Sequence, residues 1–154
     1  MRFFDFDKVQ KDFLTAALKA SKTGGMCNWF TGYMESDKNT ILTDGHFAAF
    51  VPDDLLFVKR AGDMRDINGD TFKRSLMPEK DLQTVIDTGM QKKIDKDTIC
   101  ILKNEQGEEI WVNEKYMKYF AGMDCHYKGT DKKHPVQVFC IDVLVGIILP
   151  IAHN

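Results

Sequence analysis

The sequence predicts an α+β domain built mainly from antiparallel hairpins, with two or three amphipathic helices on one face. Three observations carry this. Apolar residues recur at helical spacing around Val9, Phe13 and Ala17, and again around Met117, Phe120 and Ala121. Short runs rich in β-branched and aromatic residues, such as "TICILK" and "EEIWV", flank a turn sequence, "NEQG". The closing run "VLVGIILPI" is apolar on both sides, as a buried strand is. A chain of 154 residues, 44% hydrophobic and 29% charged, suits a single compact domain over 1–154.

Taken in order, Asp7 is the expected N-cap of a helix from Lys8 to about Ser21, with Phe6 before it as a staple residue and Gly24-Gly25 ending it. On a wheel at 100° per residue, Val9, Phe13, Ala16, Ala17 and Ala20 gather on one side. Lys8, Lys11, Thr15, Lys19 and Lys22 gather roughly 150° away, without Glu partners four residues on. "MCNWFTGYM" reads as a strand, "ESDKN" as a turn and "TILTDGHFAAFVP" as the partner strand. Within Phe57 to Leu76, "FVKR" and "TFKRSL" read as short strands flanking the turn "INGD". Pro78 suits the first turn of a helix running to about Thr88, with Leu82, Val85 and Ile86 on one face. After the "TICILK"/"EEIWV" hairpin, Asn113 caps a short helix through Met123 that buries Met117, Phe120 and Ala121 and leaves Lys115 and Lys118 pointing elsewhere. "CHY", "PVQVFCID" and "VLVGIILPI" complete the chain as three strands, and no internal repeat stands out.

The formal charge of −2 exerts no global pull toward polyanions, so nucleic-acid binding would have to come from local clustering of the 21 Lys and Arg. Cys27, Cys100, Cys125 and Cys140 are far apart, lack a CxxC pair and lie mostly within apolar segments, which reads as buried free thiols in a reducing, cytoplasmic setting. The N-terminus places acids where a signal peptide needs an apolar run, and "VLVGIILPIA" is too short to span a bilayer, so no membrane is expected.

Asp44 and His46 lie two apart, which on an extended strand would put them on one face as an oriented histidine. A nucleophile is missing, because no GxSxG, HExxH or comparable motif accompanies them. A small enzyme using this pair in a cleft is therefore the alternative to a non-enzymatic reading, in which Asp44-Gly45 is a bulge or tight bend. Cys125 and His126 are adjacent, hence on opposite faces of a strand, and with His134 they lack ligand spacing, so no metal is expected. "MRDINGDTF" has the outline of a calcium loop around Asp66, Asn68 and Gly69, but Met64 and Ser75 stand where acids are needed, so it reads as a turn. No Gly-rich phosphate loop precedes a helix, and no cofactor is expected.

Two phrases together resemble the bacterial DNA sliding clamp. "LTDGHFAAFVP" is similar to a clamp strand close to ATDGHRLA, and "WVNEKYMKYFAGM" with "IILPI" is similar to the helix and final strand of the clamp's last domain. The resemblance covers about half the chain. It implies a non-enzymatic, single-domain, DNA-clamp-like protein of a ring-forming family, from a phage or mobile element, whose sheets face outward and whose helices line a hole holding duplex DNA. The helix lysines Lys8, Lys11, Lys19, Lys22, Lys115 and Lys118 are then the expected contacts to duplex DNA, without sequence preference. By the same resemblance, Thr43, Gly45, His46, Phe47 and Ala48, with Ile147, Leu149 and Ile151, are expected to border an apolar groove for polymerase or clamp-loader peptides. Two departures stand out. Phe47 occupies the place of the family's Arg, and one domain per chain would make a homo-oligomer necessary for any ring. An interaction module that keeps the fold alone is the third alternative.

Overall fold

The structure, a computed structural model, describes residues 4–58 and 66–153. The expected "FVKR" strand falls partly outside these residues, and its Phe57 and Val58 lie in irregular backbone. The chain divides into two compact units, Phe6–Leu76 and Met77–Asn154, the latter with Met1–Asp5.

In the first unit, α1 (Asp7–Thr23) begins one residue earlier than expected. Phe6, not Asp7, occupies the cap position, without a side-chain cap bond, because its ring is buried and its carbonyl accepts the Gln10 N–H at 3.2 Å. Asp7 falls in the first turn, where its charge complements the helix dipole. Gly24 closes the helix in the left-handed region. Buried Gln10 spans the adjoining loop, donating to the Leu55 carbonyl at 3.1 Å and accepting from the Phe57 N–H at 2.8 Å.

Strands β1 (Phe30–Met34), β2 (Asn39–Thr43) and β3 (Phe47–Pro52) form an antiparallel meander, and β4 (Asp66–Asn68) adds parallel to β1. "TILTDGHFAAFVP" is thus two strands and a turn, not one strand: Thr43 pairs with Ala48, and the chain reverses through Asp44-Gly45-His46. β3 is buried on both faces. Phe47 meets Trp29 edge-on at 5.5 Å, and Trp29 meets Phe13 of α1 at 6.0 Å, while Phe50 on the opposite face meets Phe72 at 6.0 Å.

Phe72 belongs to α2 (Gly69–Arg74), so "TFKRSL" is largely helical where a strand was expected. The Asn68 side chain caps it, accepting from the Thr71 N–H at 3.0 Å, and Gly69 lets the helix start against β1. A Cβ on Gly69 would stand 2.1 Å from the Tyr33 carbonyl oxygen. The calcium-loop outline is therefore a strand-to-helix junction.

In the second unit, the helix expected from Pro78 is only a 3-10 turn (Glu79–Asp81), followed by the 12-residue strand β5 (Gln83–Ile94). The β-branched run Thr84-Val85-Ile86 prefers an extended backbone. It is held there by β8 (Cys125–Gly129) over Gln83–Val85 and by β6 (Asp97–Lys103) from Ile86 onward. β6 and β7 (Glu109–Asn113) form the expected hairpin. Asn113 caps α3 (Glu114–Met117) as expected, accepting from the Lys115 N–H at 3.0 Å. The helix lasts one turn and continues as a 3-10 turn (Lys118–Phe120); Met117 and Phe120 are buried, but Ala121 is exposed. β8, β9 (Val136–Cys140) and β10 (Val143–Ile148) close the unit as a second antiparallel meander. A helix followed by a three-stranded meander therefore occurs once in each unit, although no repeat is visible in the sequence, because α1 has 17 residues and α3 has 4.

Gly69→Ala is expected to lower unfolding stability by about 3 kcal/mol or more, since the new methyl meets backbone that cannot swing aside. Urea denaturation of the variant checks this, and a loss below about 1 kcal/mol would show that α2 can back away from β1.

Candidate nucleic-acid interface

Phe13 and Val9 are each 1% exposed, which rolls the opposite face of α1 outward. Lys8, Lys11, Lys19 and Lys22 are all exposed there. Lys8 is not without an acid: its Nζ lies 3.1 Å from Asp12 Oδ2, one turn on, where the wheel considered only Glu. Among the described residues, no ion pair engages Lys11, Lys19 or Lys22. Thr15 and Thr23 turn their hydroxyls back to the carbonyls of Lys11 and Lys19, at 2.9 and 3.0 Å. With Leu18, Lys19 and Lys22 they line an open concavity of about 380 Å³. The basic face also carries two side chains that lysine spacing does not reveal, Leu14 at its border and Leu18, which is 60% exposed.

The α3 lysines are more committed. Lys118 Nζ is 3.7 Å from Glu114, and the Lys115 ammonium lies 5.0 Å from the centroid of the Tyr116 ring. Both remain exposed, in the second unit, while the four α1 lysines belong to the first.

The Asp44-Gly45-His46 turn is built by local side-chain bonds. Asp44 Oδ1 accepts the His46 N–H at 2.9 Å, Thr43 Oγ1 accepts the Gly45 N–H at 3.0 Å, and the Thr43 hydroxyl donates to the Phe47 carbonyl. Gly45 sits at φ +93°, a conformation that disfavours any side chain. The extended geometry that would put Asp44 and His46 on one strand face is therefore absent. Of the expected groove residues in this unit, Gly45 and His46 are exposed, whereas Thr43, Phe47 and Ala48 are buried. In the other unit Ile147 is buried, Leu149 is exposed, and Ile151 is half-buried, its N–H donating to the Trp111 carbonyl at 2.7 Å.

Among the described residues, no group of three or more His, Cys, Asp or Glu could hold a metal ion. Cys125 and His126 do face opposite ways. Cys125 lies opposite Cys140 across β8 and β9, while His126 stacks on Phe139 with centroids 5.7 Å apart. Among the described residues, no helix is long and apolar enough to cross a membrane. Compared with known proteins, the chain matches no protein-family model, no curated protein and no solved structure.

Burial first, then the neighbouring acidic groups Cys140 and Asp124, pushes the Cys125 thiol up to about 12. Burial, then Cys125, Asp87 and Cys100, does the same to the Tyr127 phenol. At a given pH below the ordinary thiol value of 9.0, Cys125 is expected to carry on the order of a thousandfold less thiolate than an ordinary cysteine. Quantifying its labelling by a thiol reagent in the native protein checks this, and labelling as fast as a free thiol would contradict it. Both groups are neutral in the fold with raised values, so their contribution to stability is complete below the ordinary values of 9.0 and 10.0 and is lost as pH climbs toward about 12. Urea midpoints measured across that alkaline window are expected to fall, less steeply for Tyr127→Phe.

Proposed function

We propose that the chain is a non-enzymatic, sliding-clamp-like protein that binds duplex DNA without sequence preference, chiefly through α1. The observation that carries this reading is the exposure of Lys11, Lys19 and Lys22 along one side of a helix whose other side is anchored in its unit by Val9 and Phe13. Side chains spaced along one helix face can neutralise phosphates without reading base edges. The helix-plus-meander pattern occurring in each unit supports the same reading, since the resembled family is built of repeated α+β modules. Lys8, Lys115 and Lys118 enter as weaker contributors, because each already has an acid or an aromatic ring close by. Docking of replication-protein peptides is the second half of the proposal, with Gly45 and His46 as its exposed candidates in the first unit.

The triple variant Lys11→Glu, Lys19→Glu, Lys22→Glu is expected to weaken binding to a fluorescent duplex at least tenfold. The slope of log affinity against log salt should fall by about 0.9 for each phosphate that is no longer neutralised. Lys115→Glu with Lys118→Glu should have the smaller effect. Unchanged affinity and slope in the triple variant, with the fold intact by circular dichroism, would refute the DNA reading.

A further inference from the structure

Among the described residues, β7 is paired with β6 along one side only, and its other side is met by the chain's own C-terminal segment. The Ile151 N–H donates to the Trp111 carbonyl at 2.7 Å, and His153 Nε2, as the protonated ring nitrogen, donates to the Glu109 carbonyl at 3.0 Å. The His153 ring also lies flat on the Trp111 indole, with centroids 4.0 Å apart and planes within 5°. Two residues outside the segment orient that indole. Glu109 Oε1 accepts from the Trp111 Nε1–H at 3.1 Å, and the Lys92 ammonium is 4.4 Å from the ring centroid. The receiving surface is therefore organised by β5 and β7 themselves. The segment holding it is slight: β10 stops at Ile148, Pro150 has no N–H to extend a ladder, and residues 149–153 are all exposed or half-buried.

We propose that the outer edge of β7, with the Trp111 ring, is a docking site for an extended partner peptide that carries an apolar residue followed two positions later by a planar ring. The C-terminal segment occupies it in cis as a strap. The occupant's chemistry is read from the strap itself: Ile151 supplies the backbone pairing and His153 the stacked ring. The mode is strand addition, in which main-chain bonds give affinity and alternate side chains give selectivity. A strap tethered this close acts at an effective concentration on the order of millimolar, so a competing peptide must either bind better or meet a chain whose strap has opened. This proposal uses none of the α1 lysines, and its failure would leave the DNA reading untouched.

The test uses a chain truncated after Ile148 and a fluorescein-labelled synthetic peptide with the sequence of Leu149–Asn154. By anisotropy the truncated chain should bind the peptide, the full chain at least tenfold more weakly, and Trp111→Ala in the truncated chain should abolish binding. A folded truncation that ignores the peptide, equal binding by the full chain, or indifference to Trp111→Ala would each overturn the proposal. If truncation prevents folding, hydrogen exchange on the full chain decides. The Ile151 amide should exchange at least tenfold faster than those of Val138 and Val145, and exchange only together with them would make the segment part of the core and overturn the strap. A full-chain dimer that truncation abolishes would place a second copy's tail on β7 and overturn the cis arrangement.

Discussion

The edge-to-face aromatic chain Phe13, Trp29 and Phe47 is the contact on which the first unit's exposed basic surface depends. It ties α1 to β3 through a residue that precedes the sheet, and it sets the rotation of α1 about its own axis. Once Phe13 points inward, the 100° step per residue leaves the lysines no direction but outward. Phe50 repeats the arrangement on the other face of β3 by meeting Phe72 of α2. A strand covered on both faces in this way has no solvent side on which a register slip could be absorbed, so the short turn before it is constrained as well.

That turn shows how a few polar side chains build a chain reversal. The Asp44 carboxylate and the Thr43 hydroxyl accept backbone N–H groups of the reversal, and Gly45 supplies the positive φ. An acid near a histidine suggests a catalytic pair when the intervening residue is extended. Here the acid's bond to the His46 backbone is what allows β3 to return beside β2. His46 is left exposed at the tip.

The two helices differ in what they offer a polyanion. α1 is long, with Lys11, Lys19 and Lys22 exposed along one side, and Leu14 and Leu18 beside them give its surface an apolar border. α3 is a single turn, and its Lys115 and the Lys118 that follows it lean on Tyr116 and Glu114. Exposed pairs of this kind contribute little to stability, yet they still reduce the local positive charge that a phosphate would meet. A reading based on lysine spacing alone weights the helices equally, and the geometry does not.

What the sequence by itself determined is what a few neighbouring residues settle. The apolar period of α1 and its glycine stop, the Asn113 cap, the hairpin around "NEQG" and the three closing strands are each decided by local hydrogen bonds, backbone preference or side-chain alternation. Tertiary structure decided the segments whose local signals conflict. Pro78 invites a helix, but the β-branched residues after it find ladder partners on β6 and β8, and those distant backbone bonds prevail. Phe72 joins a helix because Asn68 caps it and Gly69 admits it against β1. The Trp111 and His153 stack, and with it the closed edge of β7, had no local signal to announce it, because it joins residues that only the folded chain brings side by side.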